Sequence, residues 1–188
     1  SDVVGLGKTY MSARLASKYK YKNILVIAPP ALIDENNPGS WPNAFYKFKV
    51  PGKFRSVGTL DKIIEEGFDD YDLIFIDESH RFRNEMSQSY EKLAEICRGK
   101  MVVLVSATPF NNTPLDLLSQ IKLFQNPKNS TIPGVKDLER FFNKLNQELK
   151  KIDRKKEYNL YIETTKRISK EIRQKVLKYI MVRRTRSE

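Results

Sequence analysis

The chain has 188 residues, 40% of them hydrophobic, and a formal net charge of +11, which allows one sizeable core and a smaller appendage. It shows no apolar run near the roughly 18 residues of a membrane span and no charged-then-apolar leader pattern, so no membrane association is expected. Its single cysteine excludes an internal disulfide. Charge is unevenly placed: residues 1–135 carry 17 Lys+Arg against 15 Asp+Glu, whereas residues 136–188 carry 17 against 8. The second region reads as basic helical material, suited either to a solvated lysine-rich surface or to a polyanion, nucleic acid foremost.

The string Gly5-Leu6-Gly7-Lys8-Thr9 precedes a helical pattern over about 8–20. A loop that cradles phosphates needs glycines so that backbone N–H groups can turn inward, a lysine to reach the β- and γ-phosphates, and an adjacent hydroxyl for magnesium. Gly5, Gly7, Lys8 and Thr9 supply these parts, and the helix N-terminus adds partial positive charge. Asp2 stands where the common pattern has its first glycine, so the string alone also fits a glycine turn capping a helix. A strand normally leads into such a loop. It is expected to be missing from the chain, leaving an unpaired slot that would be central unless another segment fills it.

Four apolar runs follow: Ile24–Ala28, Phe54–Val57, Leu73–Ile76 and Met101–Val105. They alternate with helical patterns over about 41–48, 60–67, 86–98 and 114–125. Short β-branched runs of this kind fit strands buried on both faces of a parallel sheet. The alternation predicts an α/β doubly wound domain whose ligands lie outside the carboxyl ends of the strands. The third run delivers Asp77-Glu78-Ser79-His80 to that edge. Two carboxylates buried there without a cation are costly. Magnesium held through Asp77 and water removes that cost and leaves Glu78 to polarise an attacking water. The bland alternative is an exposed acidic turn extending Asp69, Asp70 and Asp72. His80, the only histidine, is either a cap or loop residue or a partner of the third motif, Ser106-Ala107-Thr108-Pro109. Cys97 shares a helical pattern with Leu93, Ala94 and Ile96 and is expected to be a buried small hydrophobe.

After Pro133-Gly134, Leu138, Phe141, Phe142, Leu145, Leu149 and Ile152 form one stripe at helical spacing, and Ile168, Ile172, Val176, Tyr179 and Ile180 form another. Two amphipathic helices joined near Asp153–Tyr158, paired antiparallel, are the simplest arrangement. Their aromatic residues follow the helix period and read as core.

The ordered motifs resemble the Swi/Snf family of superfamily-two helicase-like ATPases. The resemblance is carried by Asp2–Thr9, by Asp77-Glu78-Ser79-His80 with Arg81-Phe82-Arg83-Asn84, and by Ser106–Asn112. Leu25–Leu32 with Trp41 downstream is similar to motif Ia, Val57–Leu60 to motif Ib, and Tyr179–Thr185 to the stretch closing the first lobe. The resemblance implies the first, N-terminal motor lobe of a prokaryotic family member. Its fold would be a RecA-like P-loop NTPase lobe, a parallel sheet flanked by helices, plus a basic helical protrusion. Residues 1–132 would be the ATP-binding lobe, truncated at its N-terminus, 133–182 the protrusion, and 183–188 the start of a linker to an absent second RecA-like lobe.

The same resemblance implies ATP and Mg2+ as cofactors. Gly5, Gly7, Lys8 and Thr9 would hold the nucleotide, Thr9 and Asp77 the metal, and Glu78 with Lys8 and Asp77 would form the catalytic set. His80, Ser106 and Thr108 would couple hydrolysis to lobe movement. Pro30, Ala31, Leu32 and Thr59 would contact the DNA backbone, and charge adds Arg81, Arg83 and the basic face of residues 136–186. The expected function is DNA-dependent ATPase and translocase activity on duplex DNA in the full-length protein. The lobe itself would be nearly inactive, because an arginine from the second lobe would be lacking. Two rivals are a strand-separating helicase or restriction-system motor, and a non-hydrolysing nucleic-acid-binding module. Localisation would be the nucleoid-associated cytoplasm in a prokaryote and the nucleus in a eukaryote.

Overall fold

The structure, a computed structural model, describes residues 6–82, 84–106 and 113–182. Strands β1 (Ile24–Ala28), β2 (Lys53–Ser56), β3 (Leu73–Asp77) and β4 (Met101–Val105) form a parallel sheet in the order β2-β1-β3-β4. The helices are α1 (Leu6–Ala16), α2 (Pro30–Ile33), α3 (Trp41–Lys47), α4 (Leu60–Glu66), α5 (Gln88–Cys97), α6 (Pro114–Lys122), α7 (Leu138–Lys150), α8 (Tyr158–Ile172) and α9 (Lys178–Ile180). The chain divides into two compact units, residues 1–111 and 112–188.

In the first unit every residue of β1 and β3 is buried, which is why their sequences are apolar at consecutive positions. Ile24, Val26, Ala28, Leu73 and Phe75 join Ala13 and Ala16 of α1 and Trp41, Ala44 and Phe45 of α3 in one core cluster. The intervening Leu25, Ile27, Ile74 and Ile76 point to the other face by strand alternation and are equally buried. β4 differs: Met101 is 41% exposed and Val102, Val103 and Leu104 are half-buried. The four described strands pair without an internal gap, because β3 bonds to both β1 and β4. Among the described residues the two end strands, β2 and β4, are only partly covered, and β4 is the apolar one of the two. Cys97 is buried, and burial pushes its thiol up to about 12, the behaviour of a packing residue.

Local chemistry sets the helix boundaries. Ser40, Ser87, Thr113 and Asp137 each accept a backbone N–H as N-cap, and Thr113 forms a capping box with Asp116. The sequence boundaries differ at three places. α1 stops at Ala16 and continues as a 3-10 turn, Ser17–Tyr19; Pro30–Ile33 is helical; Val57 belongs to a 3-10 turn, Val57–Thr59, and not to β2.

The second unit is helical. α7 buries Leu138, Phe142, Leu145 and Leu149, and α8 buries Ile168 and Ile172. Between α8 and α9 the chain widens into a π-helical segment, Arg173–Leu177. α6 packs on α7, and Lys122 and Glu139 form an ion pair at 2.9 Å. Compactness thus groups α6 with the C-terminal helices, whereas the sequence reading ended the first lobe at residue 132. Among the described residues, no helix is long and apolar enough to cross a membrane.

Candidate nucleotide site at the carboxyl edge of the sheet

Strand registers of Ile27 with Ile76 and Asp77 with Val105 bring the ends of β1, β3 and β4 to one level. The loops that follow therefore share one edge. Asp77, the last residue of β3, is 4% exposed. Its Oδ2 accepts the Trp41 indole N–H at 2.8 Å, and its Oδ1 accepts the Glu78 backbone N–H at 2.8 Å. Trp41 starts α3, is fully buried, and packs against Phe45 and Phe75 with ring centroids 5.9 and 5.6 Å away.

Burial pushes the Asp77 carboxyl above the usual aspartate range. The Trp41 indole and the Glu78 N–H pull the other way, the Glu78 charge pushes it further up, and the Lys8 ammonium pulls it down. Among the described residues, desolvation outweighs the groups that favour the charged form. Such a group favours a bound cation. Lys8, in the first turn of α1, lies within electrostatic reach of Asp77. Thr9 follows it and is 2% exposed. Among the described residues, a Cβ at Gly7 would meet nothing within 4 Å. Gly5 lies outside the described residues.

This donor set fits magnesium, which usually takes one or two carboxylates, a hydroxyl, phosphate oxygens and water. Asp77 and Thr9 are the residues that would hold it. Among the described residues, no group of three or more His, Cys, Asp or Glu could build an all-protein cage.

Glu78 has a left-handed backbone, φ 51°, at a cost of about 1–2 kcal/mol for a residue with a Cβ. Its Oε2 lies 3.0 Å from Nδ1 of His80, and the Ser106 Oγ lies 3.4 Å from the same nitrogen. The 3-10 turn Ser79–Phe82, closed by the Arg81 N–H on the Glu78 carbonyl at 3.0 Å, folds the imidazole back toward the carboxylate. Glu78, His80 and Ser106 thus form a polar chain from the end of β3 to the end of β4. Strained backbone at a functional group is a recurrent arrangement for aiming it.

The remaining expected contacts distribute along the same edge. Pro30, Ala31 and Leu32 build α2 directly after β1, with Pro30 and Ala31 exposed. The Ala31 carbonyl accepts the Asn37 side-chain N–H at 2.7 Å. Thr59 closes the turn after β2, where its Oγ1 donates to the Ser56 carbonyl at 2.9 Å. Arg81 is exposed on the turn after β3. Arg83 and Thr108 lie outside the described residues. Trp41, which sequence reasoning placed only near motif Ia, touches the site directly. A buried indole N–H needs an acceptor, but the partner lies 36 residues away and no local signal names it.

Residues 54–188 match the family model described as SNF2-related domain. The chain is 26% identical over 147 residues to a protein of Bacillus subtilis (strain 168) called an uncharacterized ATP-dependent helicase, YqhH, with 66% of this chain and 25% of that protein covered. It therefore spans about a quarter of this curated relative. A solved Sulfolobus solfataricus SWI2/SNF2 ATPase core in complex with dsDNA matches the fold with a TM-score of 0.60 at 17% identity, covering all of this chain and 40% of that one. The family match takes in β3, the acidic motif and everything after it, well over half of the residues, and the chain accordingly belongs to the SNF2-related domain family.

Proposed function

We propose that this lobe binds ATP with Mg2+ and that the full-length protein hydrolyses ATP to move along, or remodel proteins on, duplex DNA. The observation that carries this reading is the gathering of Lys8, Asp77, Glu78, His80 and Ser106 at one carboxyl edge of a parallel sheet. Lys8 and the backbone of the α1 N-terminus bind and neutralise the phosphate tail. Thr9 and Asp77 would hold magnesium, which would supply positive charge to offset that of the phosphates. Glu78 orients and deprotonates the attacking water. His80 bridges Glu78 to Ser106 and couples the hydrolytic centre to the third motif. Duplex DNA as partner is supported by the dsDNA in the Sulfolobus complex and by the basic second unit. Backbone contacts from Pro30, Ala31, Leu32, Thr59, Arg81 and Arg83 suit a motor that must tolerate any base sequence. The arginine that completes the transition state is assigned to a second lobe, so these 188 residues alone turn over ATP negligibly.

The test is steady-state ATP hydrolysis by the full-length protein with and without duplex DNA, alongside a strand-displacement assay. Stimulation by duplex without displacement is expected. Glu78→Gln retains ATP binding and loses turnover by on the order of 10²-fold or more. Normal turnover in that variant would remove Glu78 from the chemistry.

A further inference from the structure

The second unit holds a cleft of about 460 Å3 between the first turns of α7 and the π-helical segment with α9. Five cations line it: Lys136, Arg140, Lys144, Lys175 and Lys178. The one carboxylate there, Asp137, is already engaged, because it accepts the Arg140 backbone N–H at 2.7 Å and caps α7. Lys175 pairs with Glu171 at 2.8 Å. Lys136, Arg140, Lys144 and Lys178 are exposed, with no acidic partner among the described residues. Elsewhere in the same unit Lys122 pairs with Glu139, and Arg167 with Glu148 and Glu171, while other lysines, such as Lys151, Lys155 and Lys156, are exposed on the surface away from this cleft; what sets the cleft apart is the convergence of its cations on one hollow. An unmatched cluster around one hollow is self-repelling, and its field is suited to a polyanion.

The aromatic lining decides which part of a nucleic acid would fit. Lys175 Nζ lies 5.8 Å from the Phe141 ring centroid, and Lys178 Nζ lies 4.7 Å from that of Tyr179. Each of these rings has one of the protein's own ammonium groups close to it, so the cleft presents charge ahead of bare aromatic surface. One wall is the π-helical segment Arg173–Leu177. Such insertions are rare and are frequently found at functional sites.

We infer that this cleft binds the phosphate backbone of duplex DNA through Lys136, Arg140, Lys144 and Lys178, in addition to contacts made at the sheet edge. This rests on the nucleic-acid reading above. The test is binding of a labelled mixed-sequence DNA duplex to the full-length protein over a salt series. The triple variant Arg140→Gln, Lys144→Gln, Lys178→Gln lowers the slope of log affinity against log salt by about 2.7, at roughly 0.9 per lost phosphate contact. A charge-matched variant outside the cleft, Lys18→Gln, Lys20→Gln, Lys53→Gln, keeps the wild-type slope, and so does Lys144→Arg. All these positions are exposed, and unchanged thermal melts show that folding is intact. Equal loss in both triple variants would reduce the effect to net charge and overturn the cleft. An unchanged slope in the cleft variant, with duplex still bound, would overturn the cleft and leave the nucleic-acid reading standing. No duplex binding by the wild-type protein would sink both. Phosphatidylcholine vesicles containing phosphatidylserine form a further arm. Cleft-dependent vesicle binding with DNA binding intact would assign the site to a membrane surface and overturn the proposal.

Discussion

Residues 1–111 carry 15 Lys+Arg against 14 Asp+Glu, and residues 112–188 carry 19 against 9. The near-neutral unit nevertheless holds the more potent electrostatics. Its key charge, Asp77, is desolvated, so each neighbouring dipole or ammonium acts on it strongly. The basic unit spreads exposed ammonium and guanidinium groups over helices, where water and salt screen them. One arrangement suits a reaction centre, which needs a few fixed charges. The other suits a polymer partner, which needs many weak ones. The two should therefore respond differently to substitution and to salt.

The largest expected effect is at the loop lysine. Lys8→Ala weakens ATP binding by about 10²-fold or more, on the order of 3 kcal/mol for a lost desolvated charge contact, measured by isothermal calorimetry. Its duplex salt slope stays at the wild-type value, and a large shift there would break the division of labour.

Next is Trp41→Phe, which removes the indole donor from Asp77 and leaves a small void. It costs roughly 2–4 kcal/mol, from a hydrogen bond to a charged group plus lost packing, read from urea unfolding by circular dichroism. The pH dependence has a defined sign. Asp77 titrates above its ordinary value of 3.8, and loss of the indole raises it further. The wild-type advantage is therefore full at neutral pH and shrinks as pH falls through the raised values. An advantage independent of pH would show that packing alone is responsible.

Smaller effects sharpen the comparison from the core. Gly52→Ala places a Cβ 2.8 and 3.0 Å from the Phe45 ring, whose side chain is buried against Phe75. It should cost about 1–3 kcal/mol by overpacking, seen as a lower thermal midpoint with an unchanged duplex salt slope. Lys49, just after the C-cap Phe48 of α3, has φ 54°; the Lys49 N–H bonds to the Tyr46 carbonyl and the Val50 N–H to the Phe45 carbonyl. That is a Schellman cap at which glycine is preferred. Lys49→Gly should stabilise by about 1 kcal/mol, measured by the same melts.

Much of this architecture was legible from local sequence. β1 and β3 appear as unbroken apolar runs because a parallel sheet covered on both faces leaves no polar side, and the acidic pair is visible because it ends such a run; β4 carries the same pattern although its first four residues are only partly covered. α2 was missed because Pro29-Pro30 reads as a stop, although a proline also fits the first turn of a helix. The bond from Trp41 to Asp77 spans 36 residues, and no local pattern encodes which acceptor a buried indole finds. The π-helical segment was invisible because its i to i+5 bonding hardly disturbs the apolar period. The grouping of α6 with α7 was also hidden, since periodicity shows which face is buried but not against what.

Trp41 is the only tryptophan in the chain, and its indole nitrogen rests on the carboxylate proposed to hold the metal. Excited at wavelengths that tyrosine does not absorb, the chain therefore emits from one indole, which is bonded to the candidate nucleotide site. Changes in its emission on adding magnesium and nucleotide report the state of Asp77 without any attached label.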